Sequence, residues 1–293
     1  MPTIDGLAVT TYGPPDAPLT VFLAHCWTLN RSDWHYQVRD LQREFGHDIR
    51  IVTWDHRGHG ESARVRRSVC TIDNLARDWA MLIDTLAPDG PLVLAGHSIG
   101  GMTMMALAEH RPDVFDRVVG AAFVSTSSGS LDTVTLGLPE AGELVRAQIP
   151  RILAMRSRTL SRRARRRAPI VETFVMRRFL FGRPMRLADA ALAVEGLINC
   201  PGDTVVGYYM DCMTHERTAA LKVLDDIPTH VLVGTRDVLT PPAHARRIAE
   251  HVEGAVLTIA PDAGHMLPLE RDHLVSGVLI RLIRPHVGST THP

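Results

Sequence analysis

The segment from Pro91 to His110, PLVLAGHSIGGMTMMALAEH, restricts the fold of this chain more than any other stretch. An apolar run of strand length is followed at once by Gly96-His97-Ser98-Ile99-Gly100, which matches GxSxG, and then by a segment of helical composition. Three fixed letters in five are weak by themselves, but a strand, a tight turn and a helix in that order are the setting in which such a serine is presented for attack. Side chains at Gly96 or Gly100 would collide with the neighbouring strand or helix, and Ser98 is held strained so that its hydroxyl stands above the sheet. A helix that begins beside Ser98 also points free N–H groups at the site, where they favour developing negative charge. The backbone N–H of Ile99 is the natural first donor to an oxyanion.

Short β-branched runs bounded by turns alternate with longer segments of helical periodicity, which predicts a mostly parallel sheet with helices packed against it. Strands are expected at Ala8–Tyr12, Leu19–His25, Ile49–Trp54, Pro91–Gly96, Val118–Val124, His230–Gly234 and Val256–Ala260. Helices are expected at Arg31–Glu44, Asn74–Leu86, Gly100–His110, Pro242–Glu250 and Leu267–Ile283. The stretch from Ser127 to about Arg217 breaks the alternation and reads as several helices with loops at Gly137–Leu138 and Phe181–Pro184. The expected organisation is therefore a core of residues 1–128 and 218–293 with a helical insertion at 129–217. Ser130–Asp189 carries thirteen arginines against five acidic residues. A solvated helix face is the ordinary fate of such a run, and a docking surface for an anionic substrate portion or partner is the functional alternative.

A serine hydroxyl is a poor nucleophile until a base takes its proton, so a histidine has to be presented from elsewhere. Fifteen histidines compete for that part. His265 lies in the loop PDAGHMLPLE, directly after the strand-like AVLTIA, and such loops sit at the carboxyl edge of a parallel sheet, where ligands bind in α/β folds. His25, His56 and His59 occupy other loops at that edge, and His97 reads as a packing residue of the elbow. Asp237 ends THVLVGTRD in the same way and would orient His265; the structural alternative is a cap on the Pro241–Glu250 helix. A second oxyanion donor is expected from the loop of LTVFLAHCWTLN, at the backbone N–H of Trp27, and each such donor contributes about 2.7–4 kcal/mol to transition-state stabilisation. Cys26 beside His25 lacks the elbow that a cysteine nucleophile would need.

Together these residues resemble the α/β-hydrolase superfamily, in the esterase/lipase-like branch of single-domain serine hydrolases with a helical cap. The motifs that carry the resemblance are TWDHRGHGES (Thr53–Ser62), AGHSIGG (Ala95–Gly101), VLVGTRDVLTPP (Val231–Pro242) and DAGHMLPLE (Asp262–Glu270), in that order. The resemblance implies a mostly parallel central sheet flanked by helices, with the cap inserted after the sixth strand. It carries over Ser98, Asp237 and His265 as a triad, Ile99 and Trp27 as the oxyanion pair, and DHRGHG as a loop that braces the site. The usual His-Gly before the oxyanion residue is here His25-Cys26, whose side chain could restrict the loop.

The expected chemistry is cleavage of a carboxylic ester or thioester through an acyl-enzyme on Ser98. Acyl-CoA or an acyl carrier protein is a candidate partner in view of the arginines. Perhydrolysis, C–C bond hydrolysis and acyl transfer use the same triad with other acceptors, and a receptor that binds without turnover is the non-enzymatic alternative. Formal charge balances at zero, giving no overall field for nucleic acid. The apolar run Leu92–Ala108 is too interrupted to span a membrane. Four scattered cysteines show no ligand spacing, no metal or organic cofactor is implied, and a start without signal character gives a cytosolic expectation.

Overall fold

The structure is a computed structural model that describes residues 3–134 and 162–288, together with residues 144, 147, 148, 151, 152 and 155. Eight strands form one sheet: β1 (Thr3–Ile4), β2 (Leu7–Tyr12), β3 (Thr20–Ala24), β4 (Arg50–Trp54), β5 (Leu92–His97), β6 (Val118–Val124), β7 (Thr229–Gly234) and β8 (Val256–Ala260). Their order across the sheet is β1-β2-β4-β3-β5-β6-β7-β8. The pairs β1·β2 and β2·β4 are antiparallel, and every pair from β4 to β8 is parallel. Burial explains the composition: β3 and β5 are buried at every position, as strands covered on both faces must be.

Among the described residues the α-helices are α1 (His35–Phe45), α2 (Ile72–Leu86), α3 (Ile99–His110), α4 (Pro112–Phe115), α5 (Arg162–Arg167), α6 (Ile170–Val175), α7 (Leu187–Asn199), α8 (Gly202–Cys212), α9 (Pro242–Glu250), α10 (Leu267–Glu270) and α11 (Asp272–Ile283). Two apolar clusters lie on the two faces of the sheet. One contains Phe22, Trp54, Trp79 and Met104, and the other Val21, Trp34, Leu41 and Leu279. The expected helix at Arg31–Glu44 opens with a 3₁₀ turn, Arg31–Trp34, whose Asn30 side chain accepts from the Ser32 N–H. The expected helix Leu267–Ile283 is broken at Arg271, where φ −133 and ψ 48 leave the helical region. The short β1 was not expected. It folds back on β2 through Asp5-Gly6, both with positive φ, as a two-residue hairpin turn requires.

The helical stretch follows β6, the sixth strand, and its described helices α5 to α8 precede β7. The loop expected at Phe181–Pro184 is present, while Gly137–Leu138 lies outside the described residues. Arg217 N–H donates to the Ser128 carbonyl at 2.8 Å, so the chain leaving β6 and the chain returning towards β7 are bonded together.

Candidate active site

Ser98 sits between β5 and α3 with φ 54 and ψ −115, a backbone region that side chains rarely occupy. The two flanking glycines are needed for contact as well as for turning. A Cβ on Gly96 would stand 2.4 Å from the Gly100 carbonyl carbon, and one on Gly100 would stand 2.2 Å from the Ala24 carbonyl oxygen. Helix α3 therefore begins tight against β3 and β5. The Ser98 carbonyl is fixed by the Thr126 hydroxyl at 2.6 Å.

From the ends of β7 and β8 come the other two members of a hydrogen-bonded row. The Ser98 hydroxyl donates to Nε2 of His265 at 2.9 Å, and His265 Nδ1–H donates to Oδ2 of Asp237 at 2.9 Å. That direction leaves the Nε2 lone pair facing the hydroxyl, the tautomer a general base needs. Asp237 does not cap α9, whose start has no side-chain cap. Its Oδ1 instead accepts the N–H groups of Leu239 and Thr240 at 3.0 and 2.9 Å, and its Oδ2 accepts the Thr240 hydroxyl at 2.9 Å. Burial works to raise the Asp237 carboxyl, but the neighbouring His265 and these hydrogen bonds outweigh it and hold the group below its ordinary value. Thr240 escaped the sequence reading because only its contact with Asp237 marks it.

His97 is more than the packing residue expected from sequence. Its Nδ1 lies 2.7 Å from Oδ2 of Asp33 and its Nε2 lies 2.9 Å from the His265 carbonyl oxygen. Both partners are acceptors, so both ring nitrogens carry protons and the ring is an imidazolium. Burial opposes that charge, but the charge of Asp33 and its hydrogen bond raise the pKa above the ordinary value. Asp33 Oδ2 also accepts the Cys26 N–H at 3.0 Å. One buried ion pair thus joins the loop after β3, the serine elbow and the backbone of His265. Cys26, Asp33 and His97 also have the spacing of metal ligands, with donor atoms within 4.8 Å of one another. The ion pair commits the ligand atoms of Asp33 and His97 to each other, and a doubly protonated imidazole has no lone pair to offer.

Cys26 needs no glycine-like backbone, since the positive φ in this loop falls on Thr28, at 67°. Trp27 and Ile99 line the same cavity as Ser98 and His265. The N–H of Ile99 belongs to the first residue of α3 and has no carbonyl within the helix to bind. The rest of that cavity is mostly apolar, walled by Met102, Leu131, Val175, Met176, Phe179 and Leu180 among others, and no Asp, Glu, Lys or Arg among the described residues lines it.

The DHRGHG loop is occupied elsewhere, and none of its residues lines the cavity. Asp55 accepts the Arg31 and Glu61 N–H groups at 2.8 and 2.7 Å. His56 N–H donates to Nε2 of His25 at 2.8 Å, so the remaining proton of His25 lies on Nδ1 and is given to the Cys26 carbonyl at 2.7 Å. Burial, and then the neighbouring imidazoles, hold His25 well below its ordinary pKa and His56 down to about 3. Neither is a base poised near neutral pH. Arg57 is ion-paired with Asp78, and Tyr208 of α8 donates to the Arg57 carbonyl at 3.1 Å.

The segment between α6 and α7 is bonded to the His265 loop. His265 N–H and Met266 N–H both donate to the Leu180 carbonyl, at 2.7 and 3.2 Å, and Arg183 N–H donates to the Asp262 carbonyl at 2.7 Å. Glu270 accepts the N–H groups of Gly182 and Gly264 at 2.6 and 3.0 Å.

A model of the alpha/beta hydrolase family matches residues 21–278. A putative carbamate hydrolase from Caulobacter sp. (strain K31) is 27% identical over 275 residues, covering 90% of each chain. The 3-oxoadipate enol-lactonase 2 of Acinetobacter baylyi is 26% identical over 283 residues, covering 94% of this chain and 93% of its own. Among solved structures, a thermophilic esterase from Thermogutta terrifontis with malate bound superposes with a TM-score of 0.73 at 25% identity, covering 96% of this chain and 94% of the other.

Proposed function

The chain belongs to the alpha/beta hydrolase family, and from that premise we propose that it is a serine hydrolase cleaving a neutral, apolar carboxylic ester or thioester through an acyl-enzyme on Ser98. The observation that carries the reading is the row Ser98 Oγ, His265 Nε2, His265 Nδ1, Asp237 Oδ2 opening into an apolar cavity. His265 takes the hydroxyl proton as Ser98 attacks the acyl carbon. The resulting oxyanion is held by the backbone N–H groups of Ile99 and Trp27, and the imidazolium gives its proton to the leaving group. Water, deprotonated by the same imidazole, then releases the acid. The relatives named as esterase, enol-lactonase and putative carbamate hydrolase support attack on an acyl carbon, with the bond cleaved left open by their diversity.

The helices between β6 and β7 act in this reading as a cap, since Val175, Met176, Phe179 and Leu180 wall the cavity above the sheet edge. Their apolar surface favours an uncharged acyl group, and a carboxylate-bearing chain would enter without a partner. Among the described residues no arginine lines the cavity, so the acyl portion meets mainly apolar walls there.

Initial rates on p-nitrophenyl esters of increasing acyl length test the reading. Wild type is expected to turn over with an optimum at an intermediate, uncharged acyl chain, and Ser98→Ala to lose at least about 10⁴-fold in kcat. Ester hydrolysis unchanged in Ser98→Ala would remove the proposal.

A further inference from the structure

Eight large apolar side chains stand exposed among the described residues, and seven of them belong to the stretch between β6 and β7. The eighth is Val256 on the edge strand β8. Three of the seven line adjoining grooves: Ile170, Phe174 and Leu187 are 75%, 63% and 80% exposed. Ile170 and Phe174 are four residues apart on α6, so they share one face. They line a shallow groove with Pro169, Thr173 and Arg177, and that groove continues, through Pro169, Thr173 and Arg177, into a second one reaching Leu187.

The charge on this surface is predominantly positive, with one exposed carboxylate, Glu195, among the described residues that line the second groove. Residues 162–188 contain nine arginines and a single carboxylate, Glu172, which is buried. Arg166 is ion-paired with Glu195, and Arg186 with Asp189 and Asp272. Arg163, Arg167 and Arg177 are exposed and meet no carboxylate among the described residues.

We propose that this outer face of the helical stretch docks on an anionic lipid bilayer, with Ile170, Phe174 and Leu187 entering the headgroup boundary and the unpaired arginines pairing with lipid phosphates. Exposed apolar side chains beside cations, with the exposed carboxylate of Glu195 already neutralised by Arg166, match a surface that is hydrocarbon beneath and anionic on top. The same segment has two working sides. Phe174 and Arg177 face solvent while Val175, Met176 and Phe179 wall the cavity over Ser98, so a docked molecule holds its apolar cavity next to a reservoir of apolar esters.

Co-sedimentation of the full chain with phosphatidylcholine vesicles, with and without phosphatidylglycerol, tests this without any turnover. Wild type is expected to pellet with the anionic vesicles and to be released by salt, since the Debye length shrinks from about 10 Å at 0.1 M to about 3 Å at 1 M. Arg167→Gln and Arg177→Gln are each expected to weaken binding about fivefold, and Phe174→Asp to weaken it further, all with unchanged hydrolysis of a soluble ester. Ser98→Ala is expected to pellet like wild type, so failure of lipid docking and failure of the hydrolase reading are told apart. No pelleting with anionic vesicles, or equal pelleting of wild type and all three variants, overturns the proposal. Retention by a purified acidic acyl carrier protein with indifference to vesicles would overturn it too, in favour of a protein partner.

Discussion

The placing of Ser98, Asp237 and His265 in the turns that follow β5, β7 and β8 was legible in the sequence, since each lies in a recognisable local pattern, whereas the groups bonded to them were not. Asp33, His97 and Thr126 matter only through distances across the chain, and Thr240 through a local turn onto Asp237, and nothing in their immediate sequence announces those contacts. The Asp33–His97 pair is the sharpest example, since it fixes the Cys26 N–H on one side and the His265 carbonyl on the other. Removing one partner of a buried ion pair leaves the other charged and unpaired, at a cost of about 3–5 kcal/mol. His97→Asn is therefore expected to lower the urea midpoint and to reduce kcat with little change in KM, because His97 does not line the apolar wall. The double variant Asp33→Leu/His97→Asn is expected to regain part of the stability and none of the lost kcat. A cycle in which both stability and kcat add independently would show that the pair does not position the site.

Elements were more legible than contacts. Each of the seven expected strands agrees with an observed one to within a residue at each end, because strands covered on both faces are β-branched runs closed by turn residues. What was missed follows from the same logic: β1 is two residues long, too short to show alternation, although the Asp5-Gly6 turn signal precedes β2. The break at Arg271 is set by tertiary contact. Helix α10 carries Glu270, whose carboxylate is held by the Gly182 and Gly264 N–H groups, while Arg271 reaches the Arg183 carbonyl at 2.9 Å. This joint ties the helical stretch to the loop of His265 at a point too tight for a side chain: a Cβ on Gly182 would stand 2.0 Å from the Asp262 carbonyl oxygen. Gly182→Ala is expected to part the two segments and cost at least about 2 kcal/mol, the range of a strained, overpacked contact. Glu270→Gln, which keeps the shape but halves the acceptors, is expected to cost less. Equal urea midpoints for wild type and Gly182→Ala would show that the joint yields without loss.

At the scale of the molecule, buried imidazoles set the response to acid. Burial holds His25 well below its ordinary pKa, His56 and His215 down to about 3, and His59 to about 4. With the folded values depressed, their stabilisation is present above the unfolded value near 6.5 and is lost as pH falls from there towards 4. Each contributes about 1.4 kcal/mol per pH unit across that window, so the urea midpoint is expected to drop steeply between pH 6.5 and 5. His97 has the opposite sign: its contribution is whole below 6.5 and is lost as pH rises through its raised folded value. A midpoint constant from pH 7 to 5 would refute the neutral state of the cluster. Cavity walls were the least legible feature at this scale, because Met102, Leu131, Phe179 and Leu180 come from segments that share no motif. The bond between Arg217 N–H and the Ser128 carbonyl has a bearing on descent. To the sheet, everything between those two residues is a loop with closed ends, and loop length changes closure entropy only slowly. Recombination at that junction would exchange one roof for another and keep His265 in register only where the new roof again offers a carbonyl to the His265 and Met266 N–H groups, as Leu180 does.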